Sequence, residues 1–214
     1  MIFRLDERLL FPDPALAEED GLLAIGGDLS VERLLLAYKN GIFPWFSDDD
    51  PVLWYSPHER FVLFPDELQV SKSMRKVLRS ETFKVSFDEA FEQVIESCSG
   101  TPRQGQDGTW ITAEMKTAYT ELHKLGFAHS VEVWQDDVLV GGLYGVHAGQ
   151  VFCGESMFSK VSNASKTALI WFCKNTNYKL VDCQVYTEHL ESLGARMIPR
   201  EDYISILHNN AVKP

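Results

Sequence analysis

The sequence predicts an α+β protein with a smaller N-terminal α/β domain and a larger C-terminal domain. In some segments apolar residues recur every three or four positions, as in helices, and in others every second position, as in strands. In the C-terminal part these segments come in runs rather than in strict alternation, which favours an α+β layout. A proline-rich segment ends near Phe61–Pro65. We therefore expect the domains to span 1–62 and 63–214.

Composition limits the class of protein. The chain has 214 residues, which is enough to bury a core without disulfides. Its net charge of −11 argues against bulk attraction to nucleic acid, so a nucleic-acid partner would need a local basic patch. The four cysteines have no C-x-x-C spacing and the six histidines no H-E-x-x-H spacing, so we expect reduced thiols and no metal site. No apolar run has the length of a signal peptide or a membrane span, which predicts a cytoplasmic protein without a membrane partner.

The N-terminal third predicts one helix and two aromatic turns. Ser30 is suited to cap a helix over residues 31–40, and Gly41 stands where that helix should end. The turns are Gly41–Phe46 and Trp54–Pro57, and they carry prolines that make a long regular element unfavourable. We expect this part to be an irregular, packed segment.

A short basic helix is predicted over residues 71–80, with Ser71 as its cap. Its apolar residues share one side, and four cations share the opposite side without an acid before Glu81. A solvated helix face is one interpretation, but surface helices usually mix charges of both signs. In so acidic a protein the pattern favours phosphate binding. The four cations are Lys72, Arg75, Lys76 and Arg79.

The C-terminal elements follow in a recognisable order. Ser86–Glu89 matches a capping box, and the apolar stripe after it predicts a helix that reaches Cys98. The remaining predicted elements are a helix at Ala113–Leu125, strands at His129–Gln135, Val138–Val146 and Gln150–Phe158, a helix at Ala164–Asn175, a strand at Lys179–Tyr186, and helices at Glu188–Leu193 and Glu201–Asn209. This order matches that of the acyl-CoA N-acetyltransferase (GNAT) fold, so we expect a GNAT-like C-terminal domain.

Polar residues stand in two of the apolar predicted strands. A carboxylate there is costly to bury unless it is paired or meets a ligand, so Glu155 and Asp182 are candidate site residues. Either could instead lie on an edge strand. Gln184 alternates with Asp182, which predicts that their side chains share one face of the strand, with Cys183 on the other.

Eight segments carry a family resemblance. They are Gly21–Asp28, Gly41–Phe46, Gly108–Ile111, Gly141–Val146, Gly154–Phe158, Asn163–Lys166, Asp182–Gln184 and His189–Ala195. With these segments in this order, over roughly residues 20 to 205, the chain resembles the bacterial leucyl/phenylalanyl-tRNA–protein transferases. The chain departs from the family in having Trp54-Tyr55 where a second Trp is more usual, and in its short C-terminal tail.

The resemblance implies an aminoacyl transfer. Leucine, phenylalanine or methionine would move from aminoacyl-tRNA to the N-terminal amine of proteins that begin with Arg or Lys, which marks those proteins for N-degron-directed degradation. The family works without a metal or an organic cofactor. The oligomeric state is not fixed by the sequence, and we favour a monomer.

The resemblance also implies roles for particular residues. Glu155 and Asp182 would meet the cationic acceptor. Gln184 would either accept from the attacking amine or donate to the ester oxygen, and the sequence leaves both roles open. The basic helix would hold tRNA phosphates. The expected binding residues are Leu143, Met157 and Trp110 for the aminoacyl side chain, and Trp45 with Tyr38 for the terminal adenosine and ribose.

Two other functions remain open at this point. One is a CoA-dependent protein N-acetyltransferase, because the predicted order of elements suits that fold. The Arg/Gln-x-x-Gly-x-Gly/Ala signature that binds the CoA pyrophosphate is absent, which argues against it. The other is a non-catalytic RNA-binding module that uses the basic helix.

Overall fold

Two β-sheets organise the chain in the computed structural model, which describes residues 2–101 and 110–209. Gly108 and Thr109, from one of the motifs above, lie outside these residues. The small sheet has the order β1-β2-β4-β3. Its strands are β1 (Phe3–Leu5), β2 (Leu22–Gly26), β3 (Phe43–Pro44) and β4 (Leu53–Tyr55).

The large sheet has seven strands in the order β11-β5-β10-β9-β8-β7-β6. They are β5 (Glu59–Leu63), β6 (Lys84–Phe87), β7 (Ala128–Gln135), β8 (Val138–Ala148), β9 (Val151–Ser159), β10 (Leu180–Gln184) and β11 (Arg196–Pro199). The α-helices are α1 (Val31–Lys39), α2 (Lys72–Arg79), α3 (Phe91–Ser99), α4 (Ala113–Lys124), α5 (Ala164–Asn175), α6 (Glu188–Glu191) and α7 (Arg200–Asn209). The predicted α+β class is confirmed.

The N-terminal part is more regular than the sequence predicted. Helix α1 follows Ser30 as expected, and Gly41 (φ +71°) lies just after its C-terminus. The two aromatic turns contain the short strands β3 and β4, which pair antiparallel. Trp54 is fully buried in β4, and its indole N–H donates to the Gly26 carbonyl at 2.8 Å. Short strands satisfy backbone groups that an irregular buried segment would leave unpaired.

The central meander β7–β8–β9 agrees with the predicted strands to within two residues at each end. Helix α5, which has the predicted bounds, packs on this meander. Close packing depends on Gly141, because a Cβ at that position would lie 2.5 Å from the Cβ of Ala164. Gly141 therefore serves the contact between a helix and a sheet.

The expected domain boundary lies within a strand. β5 spans Glu59–Leu63 and pairs antiparallel with both β10 and β11, so it belongs to the large sheet. A boundary between residues 62 and 63 would cut this strand. The division into 1–62 and 63–214 stays a prediction, and a cut before Glu59 would keep the large sheet whole.

The predicted capping box at Ser86–Glu89 is wrong. Ser86 lies in β6, and α3 begins only at Phe91 without a side-chain cap. The Ser86 hydroxyl instead donates to the fully buried Glu132 carboxylate at 2.6 Å. A buried carboxylate needs hydrogen-bond donors. Ser86 therefore donates to Glu132 within the sheet instead of capping a helix.

The helices of the described chain are short. α4 and α5 have 12 residues each, whereas a helix needs about 20 to span a bilayer. Over residues 2–101 and 110–209, no helix combines the length and apolar character needed to cross a membrane.

We predict that Gly145→Ala lowers the free energy of unfolding by at least about 1–3 kcal/mol. An added Cβ would lie 2.2 Å from the Cys153 carbonyl oxygen and 2.7 Å from the Phe152 ring. Gly100→Ala is the control, because its Cβ would meet nothing closer than 3.7 Å. Urea unfolding should leave the control within about 0.5 kcal/mol of the parent. Equal stability of both variants would contradict the close packing of β8 on β9.

Candidate active site

A cavity of about 760 Å³ is lined by residues of the small sheet and of the C-terminal parts of β9 and β10. Its wall is mainly apolar, with a few polar groups from β9, β10, α5 and α6. Phe43, Pro44 and Trp45 contribute the wall from the N-terminal part. A concave, mostly apolar cavity with a few convergent polar groups is the usual form of a small-ligand site.

Two β-bulges shape the polar part of this cavity. β9 and β10 are parallel neighbours as far as the pair Asp182–Cys153. On β9 the register against β8 shifts so that Glu155 is the extra residue between Gly154 and Ser156. On β10 the register against β5 shifts between Asp182 and Gln184. Bulges re-aim side chains and recur beside active sites, and here they occur on adjacent strands.

The two bulges bring Glu155 and Gln184 together. The Gln184 amide Nε2 donates to Glu155 Oε1 at 2.9 Å, and both residues line the cavity. Gln184 has φ +64°, a left-handed conformation that is uncommon for a residue with a Cβ. Its backbone N–H donates to Asp182 Oδ1 at 2.9 Å, which stabilises this conformation.

Glu155 is buried without a cationic partner among the residues that the structure describes. It is 5% exposed, and its Oε2 accepts from the Tyr119 hydroxyl at 3.2 Å. The Tyr119 hydroxyl also makes a short hydrogen bond with the Tyr38 hydroxyl. Burial raises the pKa of Glu155 to about 7, and the nearby Asp182 charge adds to this, while hydrogen bonds from Tyr38, Tyr119 and Gln184 oppose it. The carboxyl group can therefore change its ionisation near neutral pH.

Asp182 does not reach the cavity, contrary to the expectation that it meets the acceptor directly. The residue is 0% exposed. Its Oδ2 accepts from Arg60 Nη2 at 2.7 Å, and Arg60 Nε lies 3.1 and 3.2 Å from its two oxygens. A carboxylate in this position needs a cation, and Arg60 supplies it from the neighbouring strand β5.

The expected alternation along β10 also fails. Cys183 and Gln184 both line the cavity, whereas Asp182 does not. The bulge inserts a residue, so positions two apart no longer present the same face to the cavity. Cys183 is a partly buried thiol, and burial raises its pKa well above the usual value. A thiol in this state is a poor nucleophile.

The two residues expected at the terminal adenosine have different positions. Trp45 is 36% exposed and lines the cavity, so its ring is available for stacking. Tyr38 is 2% exposed and lies in the core beneath the site, where its hydroxyl bonds to Tyr119. Tyr38 therefore cannot present a ring face to a base. It lies on the apolar face of α1, which explains its burial.

All three residues expected in the aminoacyl pocket line the cavity. Leu143 and Met157 are direct partners across the β8–β9 ladder, and Trp110 also contributes to the lining. Leu169 from α5 and Val181 from β10 extend the apolar surface. Leu169 was not singled out in the sequence, although its place among the apolar residues of a predicted helix was a usable signal.

The basic helix has the predicted form. Ser71 caps α2 by accepting from the Met74 backbone N–H at 3.1 Å. The helix buries Met74 and exposes all four cations. Within the described residues none of the four makes a salt bridge, and Arg75 Nε donates to the Val70 carbonyl at 3.0 Å. The four cations are thus available to an external anion.

Three residues near the site were not predicted from sequence. Arg60 holds Asp182, Tyr119 holds Glu155, and His189 lines the cavity from α6. The His189 Nε2 is buried without a hydrogen-bond partner among the described residues. Burial, with the charge of Lys166, lowers the pKa of His189. For Arg60, the one signal in the sequence was the position of this charged residue directly before the apolar run Phe61–Leu63.

A comparison with solved structures finds a "GCN5-related N-acetyltransferase from Kribbella flavida". Its TM-score is 0.40 at 11% sequence identity, and the match covers 77% of this chain and 59% of that chain.

Comparisons of sequence identify the family. The family model described as "Leucyl/phenylalanyl-tRNA protein transferase" matches residues 62–208, and the model of its N-terminal domain matches residues 27–58. A leucyl/phenylalanyl-tRNA–protein transferase of Flavobacterium johnsoniae is 61% identical over 209 residues, which cover 96% of this chain and 99% of the relative. The namesake in Flavobacterium psychrophilum is 57% identical over 206 residues, which cover 95% of this chain and 98% of the relative. The chain belongs to the leucyl/phenylalanyl-tRNA protein transferase family.

Proposed function

We propose that this protein transfers leucine, phenylalanine or methionine from aminoacyl-tRNA to the N-terminal amine of proteins that begin with Arg or Lys. The observation that carries the proposal is the Gln184–Glu155 hydrogen bond at the wall of an apolar cavity, in a chain of this family. The transfer marks the acceptor protein for N-degron-directed degradation. The enzyme works in the cytoplasm as a monomer.

The reaction requires little from the protein beyond the positioning of its two substrates. The aminoacyl ester is already activated, so the acceptor amine attacks its carbonyl without a covalent enzyme intermediate. An N-terminal amine has a pKa near 8, so about a tenth of it is neutral at pH 7, and its deprotonation costs only about 1.4 kcal/mol. Holding the two reactants in line is worth up to about 7–11 kcal/mol.

Glu155 decides which end of the Gln184 amide faces the substrates. An ionised carboxylate only accepts hydrogen bonds, so the Gln184 NH₂ group must turn towards Glu155. The Gln184 Oε1 is then left for the attacking amine. Of the two roles that the sequence left open, this arrangement favours acceptance from the amine. The negative charge of Glu155 lies on the side of the Gln184 amide away from the substrates, and it favours binding of a cationic acceptor.

Asp182 contributes to the site indirectly, through its hydrogen bonds with Gln184 and Arg60. It accepts the Gln184 backbone N–H and the Arg60 guanidinium, so it fixes the backbone from which the Gln184 side chain extends. The negative charge that the acceptor meets comes from Glu155.

The cavity wall gives the selectivity for the donor. Leu143, Met157 and Trp110 form the apolar surface that takes the aminoacyl side chain, and Met157 can adapt to leucine, phenylalanine or methionine. Trp45 stacks on the terminal adenosine at the other side of the cavity.

The tRNA acceptor stem is held by the cations of α2. All four are exposed, and charge-assisted contacts to phosphate carry no sequence information. Such contacts suit an enzyme that takes several tRNAs. They provide the local basic patch that the chain's net charge of −11 requires for an RNA partner.

The first test is direct. The protein should move labelled leucine from leucyl-tRNA onto a peptide with N-terminal Arg, and should leave an N-acetylated copy of the peptide unlabelled because it has no free amine. Acetyl-CoA should not replace the tRNA. Acetylation of the peptide by CoA, or the absence of any leucine transfer, would reject the proposal.

The donor pocket predicts that alanine is a poor donor. Leucine exceeds alanine by three carbons, each worth about 0.8 kcal/mol on burial, so transfer of alanine should be roughly 60-fold less efficient. Both amino acids should be esterified to the same tRNA, which keeps the contacts of the tRNA body constant. Equal kcat/KM for the two donors would show that the apolar wall does not bind the aminoacyl side chain.

The raised pKa of Glu155 predicts a pH profile. Transfer needs ionised Glu155, with a pKa of about 7, and a neutral amine, with a pKa near 8. Log kcat/KM should therefore rise with slope two below pH 7, with slope one between 7 and 8, and then level. Glu155→Gln keeps an acceptor for Gln184 but does not titrate, so its slope should be one throughout the rise. Identical profiles would show that Glu155 does not titrate in the reaction.

The basic helix predicts a change in salt dependence. Arg75→Glu with Arg79→Glu should flatten the slope of log affinity for tRNA against log salt by about two, because each phosphate contact contributes a little under one. Turnover at saturating tRNA should stay nearly intact. Lys124→Glu with Lys174→Glu is the control, since both side chains are exposed and the change in net charge is the same. If both double variants had the same slope, tRNA would bind to a part of the protein other than α2.

A further inference from the structure

Arg60 is a fully buried cation that contacts three separate segments of the chain. It lies on β5 and is 1% exposed. Its guanidinium bonds to Asp182 on β10, and its Nη1 donates to the Gly41 carbonyl, after α1, at 2.9 Å. The Phe43 and Tyr203 rings lie 4.7 and 4.6 Å from its Cζ. These rings come from β3 and α7.

The chemistry of this cluster requires arginine. One planar guanidinium donates to both Asp182 oxygens and to a carbonyl at once, and it also stacks between two aromatic rings. A lysine ammonium is a point charge and cannot make all these contacts. Burial opposes the charged form of Arg60, but Asp182, together with Tyr203 and Cys153, raises the pKa of the guanidinium above its usual value. The group is a cation at every working pH.

The contacts of Arg60 lead to both walls of the cavity. Asp182, which Arg60 holds, accepts the backbone N–H of Gln184 and so supports its left-handed conformation. Gly41 and Phe43, which Arg60 also contacts, lead directly into Pro44 and Trp45 on the opposite wall. Arg60 itself does not line the cavity.

We propose that Arg60 is a positioning residue for the transfer reaction. It acts through Asp182 on Gln184, and through Gly41 and Phe43 on the wall that carries Trp45, and so it sets the distance between the attacking amine and the ester. The proposal rests on the proposed function. A displacement of about 1 Å in such a site can lower the rate about a hundredfold.

The test compares two buried arginines. Arg60→Met removes every polar contact in the cluster, and Arg60→Lys keeps only the charge. Arg33→Met is the matched control, because Arg33 is also fully buried, lies in α1, and bonds to Asp6 and Asp28 rather than to β10. Arg60→Met with Asp182→Leu keeps the measurement possible if an unpaired Asp182 prevents folding, since an apolar pair often replaces a buried ion pair without loss of stability.

Two readouts separate positioning from stability. With leucyl-tRNA and an Arg-initiated peptide, Arg60→Met or the double variant should lose about a hundredfold in kcat, with the KM for tRNA within about threefold. Arg60→Lys should recover part of the loss. The Gln184 side-chain amide, observed by ¹⁵N–¹H NMR and assigned with Gln184→Ala, should shift in the Arg60 variants and not in Arg33→Met.

The NMR readout does not depend on catalysis. If the parent shows no transfer, the proposed function fails, while a shifted Gln184 amide still reports the link from Arg60. An unshifted amide in folded Arg60 variants overturns the inference, and so does a kcat equal to that of Arg33→Met.

Discussion

The end of the β9–β10 ladder, with a bulge on each strand, is the constraint on which the site depends. These parallel strands share hydrogen bonds as far as the pair Asp182–Cys153, and each then carries a bulge. The bulges turn Glu155 and Gln184 towards each other at the wall of the cavity, where they are joined by a hydrogen bond of 2.9 Å. Regular strands without these bulges would keep the alternation of side chains and would not bring these two residues together.

The buried charges of this region have complementary roles. Arg60 and Asp182 neutralise each other below the surface of the cavity. The pair therefore links β5 to β10 but adds little net charge. Glu155 has no such partner within residues 2–101 and 110–209, and burial raises its pKa to about 7. Glu155 is the one acid among the described residues that line the cavity, so we propose that a cationic acceptor meets its charge. In the proposed mechanism, ionisation of this one group orients the Gln184 amide and attracts the acceptor.

The predictable part of the structure follows from local periodicity. The 3.6-residue period located α2 and its exposed cations, and the two-residue period located the meander β7–β8–β9. The cost of burying a carboxylate pointed to Glu155, which lies in the cavity wall. These signals depend only on residues close together in the chain.

The unpredicted part depends on contacts between distant segments. Asp182 pairs with Arg60 across 122 positions, and neither residue's neighbours indicate the other. A bulge adds one residue to a strand without a signature in composition, so alternation placed Asp182 and Gln184 on one face. Tyr38 was expected at a nucleotide because it is aromatic, but the apolar face of α1 buries it.

A double-mutant cycle between Glu155 and Gln184 tests the central claim, that Glu155 acts by holding the Gln184 amide. The quantity to measure is kcat at a saturating concentration of an Arg-initiated peptide, which leaves out the attraction of the Glu155 charge for the free acceptor, in Glu155→Ala, Gln184→Ala and the double variant. Each single change should cost about 10- to 150-fold, because each removes one charge-assisted hydrogen bond. The account predicts that the double variant is no worse than the poorer single one. Multiplication of the two losses would show that the residues act independently, and would contradict the account.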